Sequence, residues 1–139
     1  NRMLEDFQEL LDYIDKHYAE DLTLEHASSM LHFSPSHFSK TFKKLMGMNY
    51  VTYLGMVRVE QAIQMLSTNQ YRMIDIALEC GFSNIRSFNR TFKEITGYTP
   101  TDFSTQVDPD LYKTTYYHRK SGEAEYVVGD STTMRPNFT

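Results

Sequence analysis

Two short stretches of the chain carry side chains that can bind the polar edges of a planar or anionic partner. Arginine offers a planar fork of hydrogen-bond donors, and asparagine offers a donor beside an acceptor, so each can bind through paired hydrogen bonds. The candidate edge-binding residues are Ser36, Ser39, Lys40, Ile85, Arg86, Asn89 and Arg90. Lys43, Lys44 and Lys93 lie beside them as point charges suited to phosphate groups. These residue types predict recognition of a ligand and not the breaking of a bond.

The two stretches lie in, or just before, a segment that occurs twice, fifty positions apart. FSKTFKKLMG runs from Phe38 to Gly47, and FNRTFKEITG runs from Phe88 to Gly97. Five of the ten positions are identical, and three more hold chemically similar residues. Agreement of this extent indicates duplication of one structural unit, so the two sets of polar side chains should occupy equivalent places.

Each copy of the segment predicts a helix with one buried face. Aromatic and aliphatic residues recur at i, i+4 and i+7, which is the spacing of a helix face that packs on a core. These inward residues are Phe38, Phe42, Leu45, Phe88, Phe92 and Ile95. The polar candidates then remain on the outer face of each helix.

Start and stop signals place these two helices in an all-α architecture. Ser34-Pro35 indicates the start of a helix that runs through Met46 and ends at Gly47. Ser83 or Asn84 is the expected N-cap of a second helix that runs through Thr96. Further helices are predicted over about residues 3–19, 24–31, 50–67, 73–80 and 101–104. The helix over 50–67 would be about 27 Å long and would join the two copies.

The predicted organisation has four parts. A first helix-turn-helix subdomain spans residues 1–49, a linker helix spans 50–68, and a second helix-turn-helix subdomain spans 69–105. The tail, residues 106–139, is rich in tyrosine and polar residues. Residues 114–118 and 124–128 of the tail could pair as a small hairpin across Ser121-Gly122.

Charge is distributed unevenly along the chain. The net charge is −4, but residues 1–25 alone hold eight acidic and two basic residues. Residues 36–47 hold three lysines and no acid, and residues 84–96 hold three basic residues and only Glu94 as an acid. A basic stripe confined to one face is the pattern expected for phosphate binding, whatever the total charge.

Other classes of protein fit the sequence poorly. There is no apolar run long enough for a membrane span and no signal-peptide pattern, so we expect a cytoplasmic protein without a membrane partner. The single cysteine, Cys80, rules out an internal disulfide and a thiolate cluster for metal. The five histidines have no metal-ligand spacing, and no nucleophile or glycine-rich phosphate loop matches a known motif. We therefore expect no enzyme, no metal and no cofactor.

A short helix, a tight turn and a second helix in each copy form the helix-turn-helix layout of DNA-binding proteins. Recognition helices enter the major groove by their N-terminal half, where arginine can bind guanine, asparagine can bind adenine, and apolar side chains can contact the thymine methyl group. Lysines farther along would lie over phosphates. An ordinary solvated helix face is the alternative for either copy alone, but recurrence in both copies favours recognition of double-stranded DNA.

Three segments together resemble the DNA-binding domain of AraC/XylS-type bacterial transcription regulators. They are ASSMLHFSPSHFSKTFKKLMG, YLGMVRVEQA and IALECGFSNIRSFNRTFKEITGYTP. The resemblance covers about residues 3–105 and is most specific over 81–100. It implies two helix-turn-helix subdomains that insert their second helices into successive major-groove segments, with the seven candidate residues facing the bases. It also implies a transcription factor, more often an activator, that contacts RNA polymerase and has its effector and dimerisation domain elsewhere, N-terminal to this chain.

Three positions depart from the family's pattern. His32 stands where the second copy has Gly81, at a helix stop that should need a positive φ. Arg72 stands where serine or threonine would cap the helix that begins at Met73, at a cost of about 1 kcal/mol. Ser104 stands where the family usually has arginine, which puts one phosphate contact in doubt.

A protein-interaction module is the alternative function. The acidic first helix and the tyrosine-rich tail could bind a partner or a second copy, with DNA contact secondary. The chain starts at Asn1 without a methionine, directly on a helical pattern, which indicates a piece of something longer. The nucleoid of a bacterial cytoplasm is the expected location.

Overall fold

The structure is a computed structural model that describes residues 2–107, and this part of the chain consists of seven helices without a strand. The helices are α1 (Arg2–His17), α2 (Leu24–Met30), α3 (Pro35–Met46), α4 (Tyr50–Leu66), α5 (Met73–Glu79), α6 (Ile85–Thr96) and α7 (Pro100–Gln106). The all-α prediction is confirmed. The hairpin predicted in the tail lies outside the described residues.

Local chemistry fixes most helix ends at the predicted residues. The Ser34 hydroxyl and the Asn84 side chain each accept a hydrogen bond from the first turn of the helix that follows, which decides between Ser83 and Asn84 as the second cap. Gly47 and Gly97 end α3 and α6 in the left-handed conformation, with φ of 76° and 85°.

Two departures from the family's pattern have the expected local structure. His32 adopts a positive φ of 58°, and Arg72 stands at the start of α5 without a side-chain cap hydrogen bond. The α1 helix ends at His17, two residues earlier than predicted, because the chain turns there and the backbone amide of Glu20 donates to the carbonyl of His17.

Aromatic rings fill the centre of each copy. Phe38 and Phe42 pack on Phe7 of α1, with ring centroids 6.1 Å and 6.3 Å from that of Phe7. In the second copy Phe92 packs on Phe103 of α7 at 5.3 Å. Each of these rings is fully buried, so both predicted inward faces are confirmed. Leu45 and Ile95 are partly buried against the same core.

The α4 helix joins the two copies and is buried over most of its length. The Tyr50 hydroxyl at its start donates to the carbonyl of Leu22, at 2.8 Å, and so ties α4 to the loop before α2. Gly55 lies where α4 and α6 approach closely, since an added Cβ would stand 3.2 Å from Ile95 Cδ1 and 3.3 Å from Thr91 Cγ2. Within residues 2–107, none of the helices has the length and hydrophobicity needed to cross a lipid bilayer.

Candidate nucleic-acid interface

The α3 helix carries the first predicted set on the side opposite its buried rings. Ser36 and Lys40 are exposed and Ser39 is half-buried. At 3.6 residues per turn, positions 36, 39, 40 and 43 share one face of the helix. Lys43 and Lys44 are exposed farther along the same helix. The structure therefore gathers the first set into one continuous surface, which we call the α3 face (Ser36, Ser39, Lys40, Lys43 and Lys44).

The α6 helix carries the second set in the same arrangement. Arg86, Asn89, Arg90 and Lys93 are exposed, and Ile85 at the first helical position keeps 39% of its surface accessible. An isoleucine exposed beside two arginines presents an apolar contact at the end of a basic surface. We call these five residues the α6 face.

The basic side chains of both faces are exposed and form no ion pair within residues 2–107. The ion pairs found among residues 2–107 are His17–Glu20 and Arg72–Asp75, and neither involves these faces. The cations concerned are Lys40, Lys43, Lys44, Arg86, Arg90 and Lys93. Exposed cations with no carboxylate partner among residues 2–107 can bind phosphate without first breaking an ion pair within that part of the chain.

The helix caps position the residues at the tip of each face. Ser34 Oγ accepts from the backbone N–H of His37 at 3.1 Å, and Asn84 Oδ1 accepts from that of Ser87 at 2.8 Å. The His37 ring also stacks on Phe33, with centroids 4.2 Å apart. These contacts hold the first turns of α3 and α6, where the base-facing candidates begin.

The two faces are equivalent in placement and different in charge. Lys44 of α3 corresponds to Glu94 of α6 in the repeat, and both side chains are exposed. The α3 face therefore holds three lysines, whereas the α6 face holds two arginines and a lysine next to a carboxylate. Arginine binds a planar acceptor through two parallel hydrogen bonds, whereas lysine binds as a point charge. The two faces should therefore prefer different chemical groups on a ligand.

The sequence indicates the two faces but not the contacts that hold them together. Gly55 was part of the predicted linker helix and carried no expectation of a close contact with α6. Arg58, on the same helix, binds the loop after α1 with residues 38 and 40 positions away in the chain. Helical periodicity reports which side of a helix is buried, but it does not identify the partner across such a separation.

The described residues give little support to other kinds of site. Among residues 2–107, no group of three or more histidine, cysteine, aspartate or glutamate side chains is placed to hold a metal ion. Cys80 is buried, and burial together with the nearby Glu79 carboxylate raises the pKa of its thiol to about 12. The thiol therefore stays protonated near neutral pH and is a poor nucleophile.

Comparison with known proteins agrees with this geometry. The model of the helix-turn-helix domain family matches residues 27–106, which is more than half of the chain. An uncharacterised helix-turn-helix transcriptional regulator of Staphylococcus aureus is 40% identical over 95 residues, 68% of this chain and 13% of that protein. The bifunctional transcriptional activator and DNA repair enzyme AdaA of Bacillus subtilis is 40% identical over 94 residues, 68% of this chain and 44% of AdaA. The chain thus spans less than half of either relative.

A solved structure shows the same fold. The transcriptional regulator from Chromobacterium violaceum, described as having an AraC-type DNA-binding domain, superposes with a TM-score of 0.65 at 22% identity. The superposition covers 74% of this chain and 92% of that one. With two helix-turn-helix copies, a family match over residues 27–106 and transcription regulators as relatives, the chain belongs to the AraC-type helix-turn-helix family of transcription regulators.

Proposed function

We propose that this chain binds double-stranded DNA sequence-specifically for a bacterial transcription regulator, and that α3 and α6 enter successive major-groove segments. One observation carries the proposal: two equivalent helices, each buried on an aromatic side, present exposed cations that no carboxylate among residues 2–107 pairs with. An α-helix with its side chains is about 10–12 Å across, and the major groove is about 12 Å wide. The helices therefore fit the groove.

Each face would bind bases with some of its residues and phosphates with others. Arg86 and Arg90 suit guanine, Asn89 suits adenine, and the exposed Ile85 suits a thymine methyl group. On α3, Lys40 can bind the edge of a guanine. Ser36 and Ser39 can each donate or accept a hydrogen bond, so they discriminate less strongly between bases. Lys43, Lys44 and Lys93 would bind phosphates and set the register of the helices. The resulting site is asymmetric because the two faces differ.

The wider setting of the proposal comes from the family. We propose that an effector and dimerisation domain precedes this chain, that the whole protein acts as an activator through RNA polymerase, and that it works at the nucleoid in the cytoplasm. The DNA repair activity in the name of AdaA belongs to that protein. The only cysteine of the present chain is the buried Cys80, so we do not extend repair to it.

In vitro selection of duplexes by the 139-residue chain tests the function. We expect an asymmetric consensus, and a log-log salt slope of about −4 to −5 for about five phosphate contacts. Arg86→Ala and Lys40→Ala should each relax specificity in a different half of the site, by about 1–3 kcal/mol. Lys16→Ala is the matched control, because Lys16 is an exposed lysine on the acidic α1 helix and should leave the consensus unchanged.

Two results would contradict the function, and another would contradict the assignment of residues. A salt slope near zero, or equal affinity for random and selected duplexes, would show that the chain does not read DNA in this way. If both alanine variants keep the full consensus, the assignment of α3 and α6 to the grooves is wrong.

A protein-interaction module remains the second candidate. The outer side of α1 exposes Glu5, Glu9 and Asp12, and the loop that follows exposes Glu20 and Asp21. An acidic surface of this kind could bind a basic partner. The same binding assay separates the candidates, because a module of this kind would retard no duplex at any ionic strength used for selection.

A further inference from the structure

Arg58, in the middle of α4, binds the backbone of the loop that follows α1. Its Nε donates to the carbonyl of Tyr18 at 2.7 Å, and its Nη2 donates to the carbonyl of Glu20 at 2.8 Å. The α1 helix ends at His17, so both acceptors lie in the turn beyond it. Hydrogen bonds from a charged donor are stronger than those between neutral groups, and this guanidinium is half-buried.

Gly81, at the turn between α5 and α6, lies close against the same loop. A Cβ added to Gly81 would lie 2.8 Å from the Tyr18 carbonyl oxygen and 2.9 Å from Ala19 Cα, and these are backbone atoms. It would also lie 2.9 Å from Arg58 Nε. Gly81 has a φ of 99°, so a side chain is opposed by both the local conformation and the neighbouring loop.

The first copy shows that these two constraints are separable. His32 occupies the corresponding turn with a φ of 58°, and its side chain is exposed. A positive φ alone therefore does not require glycine in this fold. The glycine in the second copy reflects the close approach of that turn to Tyr18 and Ala19, which lie more than 60 positions away in the chain.

We infer that Arg58, Gly81 and residues 18–20, together the Arg58–Gly81 contact, fix the position of α6 relative to α3 and thereby make half-site spacing part of the chain's DNA specificity. The loop is tied to the first copy, because the carbonyl of Leu22 accepts from Tyr50 and α2 begins at Leu24. The α6 helix begins four residues after Gly81. The contact thus joins the loop before α2, which leads into the α3 face, to the turn before α6, which carries the α6 face.

The expected consequence for DNA follows from the geometry of the duplex, and it rests on the proposed function. One inserted base pair moves a half-site by about 3.4 Å along the axis and rotates it by about 35°. Two recognition helices held in one relative position cannot follow this change, whereas loosely joined helices can. Spacing preference should therefore depend on the Arg58–Gly81 contact, and base preference should not.

The binding test compares duplexes in which the selected half-sites keep their spacing, gain one base pair or lose one. We expect the wild type to prefer the selected spacing by about tenfold or more, and Arg58→Met to prefer it by about threefold or less. Affinity for each half-site alone should stay within about twofold. Arg58→Lys, which retains a donor and a charge, should fall between them.

Arg72→Met is the matched control, because it also removes an arginine charge. The Arg72 side chain is 79% exposed, and its ion-pair partner is Asp75, in the first turn of the α5 helix that Arg72 precedes. If Arg72 does bind a phosphate, its loss would lower affinity for all spacings equally and leave the preference unchanged. A spacing preference that falls equally in Arg72→Met and Arg58→Met would overturn the inference.

A measurement without DNA separates this inference from the proposed function. Cysteines introduced at Gln8 in α1 and Thr101 in α7, both exposed positions, can carry spin labels for a pulsed paramagnetic resonance distance measurement. The buried Cys80 should remain unlabelled. The inference predicts a narrow distance distribution in the wild type and in Arg72→Met, and a broader one in Arg58→Met. Circular dichroism verifies that each variant is folded.

The outcomes are distinct. A broader distribution with relaxed spacing supports the inference, and unchanged results in both measurements overturn it. A broader distribution with unchanged spacing preference overturns the claim that the contact controls DNA specificity. If no duplex is bound selectively, the proposed function fails, and the distance measurement alone decides whether the contact holds the two copies together.

Discussion

At the scale of single residues, the exposed faces could be predicted from the sequence and the contact around Arg58 could not. The phenylalanines of the repeat occupy one side of each helix, so the remaining side is determined by periodicity alone. The roles of Arg58 and Gly81 depend on atoms 38–63 positions away in the chain. Gly81 was correctly predicted as a left-handed helix stop, but that explains only one of the two reasons for a glycine there.

Glu94 provides a residue-scale prediction about DNA affinity. It corresponds to Lys44 in the repeat and is exposed at the equivalent position of α6. Glu94→Lys should add one phosphate contact, so binding should tighten and the log-log salt slope should steepen by about 0.9. Fluorescence anisotropy titrations at several salt concentrations measure both quantities.

Glu94→Gln is the control for this substitution, because it removes the negative charge without adding a cation. It should raise affinity slightly and leave the slope nearly unchanged. If Glu94→Lys changes neither affinity nor slope, the outer side of α6 at this turn does not face a phosphate.

Buried acidic groups lead to a residue-scale prediction about pH. Burial raises the pKa of Cys80 from 9.0 to about 12, and burial likewise raises that of Tyr50 from 10.0 to about 12. Both groups stay neutral in the folded protein at pH values where the unfolded chain ionises. Their contribution to stability is therefore complete below pH 9 and is lost as the pH rises toward 12.

Urea unfolding at pH 8, 9 and 10 measures this loss. Ionisation of the Cys80 thiol in the unfolded chain should by itself lower the free energy of unfolding by about 1 kcal/mol between pH 9 and pH 10. Ionisation of Tyr50 should add to this loss above pH 10. Cys80→Ala should start from a lower stability, because it shortens a buried side chain, but its stability should fall less over the same interval. Parallel pH profiles for the two proteins would contradict the assignment.

At the scale of helices, the ends predicted from the sequence are accurate wherever a cap residue determines them. The α3, α4 and α6 helices start at or next to the predicted residues because Ser34, Asn49 and Asn84 each bind an N–H of the first turn. The α1 helix was predicted two residues too long, since no cap residue marks its end. The loop after α1 takes its shape from tertiary hydrogen bonds to Arg58.

The α5 helix provides an element-scale prediction about stability. Its N-cap residue, Arg72, makes no cap hydrogen bond, and its ion pair with Asp75 is exposed and contributes little. Arg72→Ser should supply the missing acceptor and raise the free energy of unfolding by about 0.5–1 kcal/mol. Asn84→Ala is the opposite control, and it should lower stability by about 1 kcal/mol through loss of the α6 cap. A destabilising effect of Arg72→Ser in thermal unfolding would contradict this explanation.

At the scale of the whole molecule, duplication explains both the symmetry of the fold and the asymmetry of the surface. The repeated phenylalanines and glycines keep two copies of one framework, and α4 with the Arg58–Gly81 contact joins them. The outer faces have diverged, with serines and lysines on α3 and arginines with asparagine on α6. A protein of this kind should bind a directional site as a single chain, without the palindrome that a symmetric dimer requires.

Transfer of one face onto the other helix tests this directional reading. Ser36→Arg, Ser39→Asn and Lys40→Arg together give α3 the three polar residues that α6 carries at the equivalent positions. Both helices bury phenylalanines at equivalent positions, begin at a side-chain cap and end at a left-handed glycine, so the new side chains should be presented as they are on α6. In vitro selection with the triple variant should then yield a direct repeat of the α6 half-site in place of the asymmetric consensus. The α6 half serves as the internal control and should not change. If the α3 half keeps its original bases, residues outside these three positions determine specificity, and if it loses all preference, the two helices are not presented to DNA in the same way.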